Sequence, residues 1–196
     1  MSLDCIPDDL RERFRFKEWN HACGILASDF AAEWDELLGC LRAFKLARSA
    51  IVIGGGGRSS IPQALDGYLN VRGWREHQFD IGIRVDGDEL KTPTHKIDNY
   101  KNRVAVEVEW NNKTEFYDRD LNNFRLLHQL RVVSVGVIIT RVSELQSLFD
   151  GLGIGRKYGA STTHWNKLLP KLDGGGAGGC PVLAVGITPQ CYDASA

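Results

Sequence analysis

The sequence predicts an α/β domain built on a mixed central β-sheet flanked by helices. Three observations carry this. Short apolar runs ("VVSVGVIIT", "PVLAVGI") read as strands buried on both faces. Amphipathic stretches separate them at helical spacing. The strands that come first, "WREHQFDIGIRVDGDELK" and "THKIDNYKNRVAVEVEW", alternate and are joined by turn residues, as antiparallel pairs are. The order is helix, antiparallel-looking strands, then helix, strand, helix, strand.

Each element has its reason. Ser28-Asp29 reads as a helix cap before "DFAAEWDELLGCLRAFKLA", where Phe30, Trp34, Leu37, Leu38, Leu41 and Phe44 fall on one face. "SAIVIGGGG" reads as a short strand running into four glycines, and "SSIPQALDGYLNVRG" as a helix ending near Gly73. A turn is expected at Asp86-Gly87. In "EFYDRDLNNFRLLHQLR", Tyr117, Leu121, Phe124, Leu127 and Leu130 repeat at helical spacing. "SELQSLFDGL" is a short helix and "THWNKLLPKL" another, broken by Pro170. The glycine-rich run Gly174 to Gly179 reads as a mobile loop before the last strand. The chain, residues 1–196, reads as one domain: a helical part over about 1–48 and a core over about 49–190.

Composition excludes several classes. Hydrophobic residues make up 43% and charged residues 25%, which is ordinary for a globular protein. No apolar run approaches the roughly 18 residues of a membrane span, and the N-terminus has no apolar signal core, so a cytoplasmic protein is expected. Five scattered cysteines without a CxxC pair read as reduced thiols. The net charge of -1 neither suggests nor excludes nucleic acid. One local run is basic: Gly155 to Leu172 holds Arg156, Lys157, Lys167, Lys171 and His164 and no acid. "IVIGGGGRSS" is not a nucleotide-binding loop, because Arg58 stands where the lysine is needed and Val52 where the first glycine is. Gly54 to Gly57 remain a tight turn, or a loop facing DNA or a second subunit.

The chemistry-bearing stretch is "RVAVEVEWNNK". Alternation puts Val104, Val106, Val108 and Trp110 on one strand face and Ala105, Glu107 and Glu109 on the other. Two like charges sit side by side in an apolar strand. Three things can offset that: open solvent, basic partners, or a divalent cation. Asp98, close upstream at the end of the preceding strand, makes the third attractive. A hard cation takes one or two carboxylates plus water and substrate phosphate. Asp98 and Glu107 suit that role, with Glu109 near the attacking water.

Asp98, Glu107 and Glu109 resemble the motif of the PD-(D/E)XK nucleases. More narrowly, "HKIDNYKNRVAVEVEWNNK" resembles type II restriction endonucleases of the BglII, BstYI and BamHI kind, in which the superfamily's usual lysine is absent. Glu109 matches the BamHI-like variant. Weaker matches at Gly73-Trp74, "YGASTTHW" and "CPVLAVGI" extend the resemblance over roughly residues 55 to 190.

The resemblance implies a restriction-endonuclease-like core that hydrolyses both strands of a short palindromic DNA site and leaves 5′-phosphate ends. Asp98 and Glu107 would bind Mg²⁺, with Mn²⁺ substituting and Ca²⁺ binding without supporting cleavage. Glu109 would position or deprotonate water, and Glu76 would be a further acid near the metal. Asn111, Asn112 and Lys113 would meet DNA, the asparagines suiting adenine. Ser161, Thr162, Thr163 and His164 would form a second set of base contacts, and Arg156 and Lys157 would hold phosphates. The implied partners are duplex DNA, a second identical subunit and, in a prokaryotic cytoplasm, a cognate methyltransferase that protects host sites. Two rival readings remain: a structure-selective or repair nuclease of the same fold, and a non-catalytic DNA-binding protein.

Overall fold

The structure is a computed structural model that describes residues 3–52, 59–159 and 161–196. In chain order its elements are α1 (Asp8–Arg11), β1 (Phe14–Trp19), α2 (Ala22–Asp29), α3 (Ala31–Ala43), β2 (Leu46–Ala47), α4 (Arg48–Val52), α5 (Ser60–Asn70), β3 (Arg75–His77), β4 (Asp80–Val85), β5 (Asp88–Pro93), β6 (Ile97–Lys101), β7 (Val104–Glu109), α6 (Glu115–Gln129), β8 (Val135–Arg141), α7 (Leu145–Gly151), α8 (Trp165–Asp173), β9 (Val182–Ile187) and β10 (Tyr192–Asp193).

Six strands form one mixed sheet in the order β1-β9-β8-β7-β6-β3. β7, β8 and β9 run parallel, and β6, β3 and β1 pair antiparallel to their neighbours. The parallel strands are buried along their whole length. Helical crossovers make that possible, because a parallel pair needs a long connection that covers a face. α6 lies on one face, where Phe124 fills the space above Gly136. α5 lies on the other, where Asp66 accepts a buried 2.7 Å hydrogen bond from Asn99 Nδ2. α3 packs between α2 and α5. The β4–β5 hairpin forms a separate two-stranded sheet, and its turn falls at Asp86-Gly87 as expected.

Several expectations need correcting. β1 was not foreseen: "FRFKEW" is an edge strand of the main sheet, so the N-terminal part is not purely helical. Residues 48–52 are helix rather than strand, since a short apolar run carries no period that separates the two. Gly54 to Gly57 and Arg58 lie outside the described residues. Ser28 and Asp29 end α2 instead of capping α3, whose N-cap is Phe30. Pro170 sits inside α8 without ending it. Cys5 and Cys23 are joined in a disulfide, because contact depends on a Cα–Cα separation of 6.5 Å and not on sequence spacing. Cys40, Cys180 and Cys191 are free and buried, as expected.

Gly174 to Gly179 is not a loose loop. It is a run of hydrogen-bonded turns around a fully buried Ala177. Gly175 and Gly178 have positive φ, and a side chain at Gly176 would meet the Lys171 carbonyl at 2.8 Å. Here glycine serves close packing, which composition alone does not distinguish from flexibility.

Two glycines test this packing in opposite directions. Gly136→Ala drives a methyl into Phe124 and should cost about 1–3 kcal/mol. Gly67→Ala, in the exposed interior of α5 with nothing within 4 Å, should gain up to about 1 kcal/mol. Urea unfolding of the two variants beside the wild type reads both.

Candidate active site

The β6–β7 hairpin sets the geometry. Asn102 and Arg103 both have positive φ (44° and 69°), as a two-residue hairpin turn requires. The turn is therefore shorter than "NYKN" suggested, and Asp98 lies near the start of β6. The register pairs Lys101 with Val104, Tyr100 with Ala105 and Asn99 with Val106. One step further, Asp98 stands opposite Glu107, and opposed residues share a face. Two hydrogen bonds lock the pair. Asp98 N–H donates to Glu107 Oε2 at 3.2 Å, and Val108 N–H donates to Asp98 Oδ2 at 3.1 Å.

The face they share is covered by α6. Glu107 is 1% exposed and Glu109 2%, so solvent does not offset the repulsion. α6 adds a fourth acid, Asp120, which is fully buried. Asp120 falls among the apolar positions Tyr117, Leu121 and Phe124. An acid on an apolar helical stripe was the available signal, and the sequence reading passed over it. Arg119 bridges the two: its Nη2 donates to Glu109 Oε1 at 3.3 Å and its Nε to Asp120 Oδ1 at 2.9 Å. Asn112 Nδ2 donates to the other Glu109 oxygen at 2.8 Å.

These surroundings shift the acids upward. Burial pushes Glu107 well above the usual carboxylate range, and the charges of Asp120, Asp98 and Glu109 add to it. Burial, then Asp120, pushes Glu109 up to about 9. Burial raises Asp120 to about 6, against the pull of Arg119. Glu107 Oε1 and Asp120 Oδ2 are buried without any hydrogen-bond partner. Among the described residues no three His, Cys, Asp or Glu side chains form a ready metal cage. The arrangement that remains is Asp98 and Glu107 side by side, with one glutamate oxygen unsatisfied.

The two segments expected to read DNA are stapled together beside these acids. Asn112 N–H donates to Thr163 Oγ1 at 3.1 Å, and Thr163 N–H returns a bond to the Asn112 carbonyl at 2.9 Å. Lys113 and Thr162 form an antiparallel bridge, and Thr114 Oγ1 donates to the Ser161 carbonyl at 2.8 Å. Thr163 is fully buried in this joint. Asn111 turns the chain out of β7 with φ 60°. Lys113, Ser161 and Arg156 are exposed. Lys157 donates to the Ile51 carbonyl at 3.2 Å, and His164 Nδ1 lies 2.9 Å from Ser143 Oγ. Glu76 is exposed on β3, the strand next to that of Asp98, and pairs with Lys96 at 2.8 Å.

A mixed sheet with helices on both faces and a carboxylate cluster on its central hairpin is the arrangement of a restriction-endonuclease-like fold. The family is more specific than the fold. The model of the family "Restriction endonuclease BglII/BglIII" matches residues 14–187, so the chain belongs to that family of DNA-cutting nucleases. No curated protein matches the chain.

The raised acids give a stability prediction for the metal-free protein. A carboxyl with a raised folded pKa holds its proton more tightly folded than unfolded. The stability it contributes is complete below about 4.5 and is lost as pH rises, for Glu109 through about 9. Thermal unfolding in EDTA should show Tm falling from pH 6 to pH 9. Glu107→Gln, which keeps the shape and removes the charge, should melt several degrees above wild type at pH 8 and close to it at pH 5. A gain of 1 kcal/mol moves the midpoint of a domain this size by about 2–4 °C.

Proposed function

We propose that this protein is a type II restriction endonuclease. It acts as a homodimer, cuts both strands of a short palindromic duplex, and requires Mg²⁺. The observation that carries the reading is the facing Asp98–Glu107 pair, in which Glu107 is buried with an orphaned Oε1, beside the stapled segments 111–114 and 161–164. Family membership supports it from a second direction.

The residues suit the ion. Mg²⁺ prefers hard oxygen ligands and commonly binds one or two carboxylates, keeping water and substrate phosphate in its remaining positions. Asp98 and Glu107 would hold it, and the unsatisfied oxygen gains a partner. Bound there, the ion supplies charge neutralisation at the scissile phosphate and a lowered pKa for the attacking water.

The chain's own groups do the rest. Glu109, held in aim by Asn112 and Arg119, hydrogen-bonds the water and takes its proton when ionised, which in the cation-free protein is the minor form below about pH 9. Asp120 shares the Arg119 guanidinium with Glu109 and is the next carboxylate of the cluster. The in-line displacement leaves a 5′-phosphate and a 3′-hydroxyl. Asn111, Asn112, Lys113, Ser161 and Thr162 face the bases, Arg156 and Lys157 the backbone, and Thr163 fixes the joint between the two reading segments. Glu76 stands outside the buried cluster and tunes the site from its rim. A two-fold duplex site is matched by a two-fold protein, hence the homodimer. A cognate methyltransferase protects the host's copies of the site. The proposed work on DNA belongs in a prokaryotic cytoplasm; no described helix is long and apolar enough to cross a membrane.

A plasmid digest with Mg²⁺, followed by run-off sequencing of the ends, tests the reading. Discrete fragments sharing one palindrome are expected, with Mn²⁺ active, Ca²⁺ inactive, and both EDTA and Glu107→Ala abolishing the cuts. A smear would replace the reading with a structure-selective nuclease. Intact plasmid together with normal duplex binding would replace it with a non-catalytic DNA-binding protein.

A further inference from the structure

A second polar site lies at the far side of the stapled joint. Arg141 ends β8 and is 1% exposed. Its Nη2 donates to the Tyr158 carbonyl at 3.0 Å and to Thr162 Oγ1 at 3.1 Å, which anchors the segment leading to His164. Its Nε is buried without a hydrogen-bond partner. No carboxylate pairs with this guanidinium among the described residues. A buried charge is costly unless something of opposite sign completes it.

Arg141 lines an open cleft with Ser143, Gln146, His164 and Asn166, and no acid is among these five. Two acids of the adjoining segment have partners: Asp150 accepts from the Gln146 amide, and Glu144 pairs with Arg15. The cleft also lies at the start of α8. The N-cap there, His164, makes no side-chain capping bond. The first-turn N–H groups therefore lack that acceptor, and the positive end of the helix meets the cleft. A buried guanidinium without a carboxylate partner, a helix start without a side-chain cap and a lining without acids all favour one class of ligand, an anion with several acceptor oxygens.

We propose that this cleft is a subsite for one backbone phosphate of the duplex, away from the scissile bond. The proposal rests on the reading of the protein as a DNA endonuclease. Its place in the fold gives it a purpose. Thr162 and Thr163 tie the cleft to Lys113 and Asn112, and Asn112 is bonded to Glu109. A phosphate held here fixes the duplex relative to the carboxylates. Phosphate contacts set position and carry no sequence information directly. His164, expected among the base contacts, is reassigned to the backbone.

Asn166→Asp tests this without endangering the fold. An acid in the first turn of a helix is favourable for the helix, so Tm should equal or exceed that of wild type. At the subsite the same charge repels phosphate. Fluorescence anisotropy in Ca²⁺ should show duplex affinity falling about tenfold. The loss should be equal for the recognition duplex and a scrambled one, and the slope of log Kd against log salt should shrink by about one. A scan of wild type with single neutral methylphosphonate linkages provides a fold-independent check. One linkage outside the cut position should weaken binding to wild type and leave Asn166→Asp indifferent. Unchanged affinity in the variant, a loss confined to the recognition duplex, or a flat linkage scan would each overturn the proposal. A wild type that binds no duplex at all would overturn the endonuclease reading first, and this subsite with it.

Discussion

Asp98, half-buried, and Glu107, buried, face each other across a β-hairpin, and the rest of the molecule is arranged around keeping them there. Carboxylates buried without full compensation are unfavourable by several kcal/mol. A chain tolerates that only where surrounding structure over-determines the positions. Here a two-residue turn fixes the register, and backbone N–H groups of the strands themselves bind the carboxylates. The parallel neighbour β8 then pairs with β7 along its other edge, and β9 with β8 beyond it. Because the constraint is written into the sheet, the acids have little freedom to swing apart and relieve the repulsion. On the proposed reading, a cation would bind a site preorganised in this way with little reorganisation.

The second layer of control comes from α6. Asp120 and Arg119 enter from a helix whose other side chains build the core, so packing sets their positions as firmly as the hairpin sets Asp98. Arg119 is half-exposed and stacks 4.1 Å over the Phe116 ring, and it partly neutralises Glu109 and Asp120. It does not reach Glu107, whose remaining oxygen stays unsatisfied. The Glu109 end of the site therefore has a cationic partner and the Asp98–Glu107 end has none among the described residues. On the proposed reading, that asymmetry would separate a metal-binding end from a water-handling end.

Much of this was legible in the sequence, for identifiable reasons. The buried parallel strands β8 and β9 are continuous apolar runs and α6 has a strong helical period, and the two glutamates were visible because charge interrupts an apolar alternation. Their facing of Asp98 was legible only as a motif, since the turn that creates it depends on Asn102 and Arg103 adopting positive φ. β1 was hidden because "FRFKEW" is an edge strand whose polar residues remain partly exposed, so its alternation is weak. Asp120 was hidden because it lies in a charged run, "YDRD", where one acid is exposed and the next fully buried. The Cys5–Cys23 disulfide and the packing of Gly174 to Gly179 depend on tertiary proximity, to which composition is blind. The stapling of segment 111–114 to 161–164 joins positions about 50 residues apart and has no local signature.

The central claim is that the buried carboxylates are held in a strained, proton-retaining state that a divalent cation completes. Calorimetric titration of the protein with Mn²⁺ at pH 8, in two buffers of different ionisation enthalpy, addresses it most directly. Metal must displace protons from acids whose pKa values are raised. The account predicts saturable binding with net proton release, both lost in Glu107→Gln. Binding without proton release, or binding that survives Glu107→Gln, would contradict it.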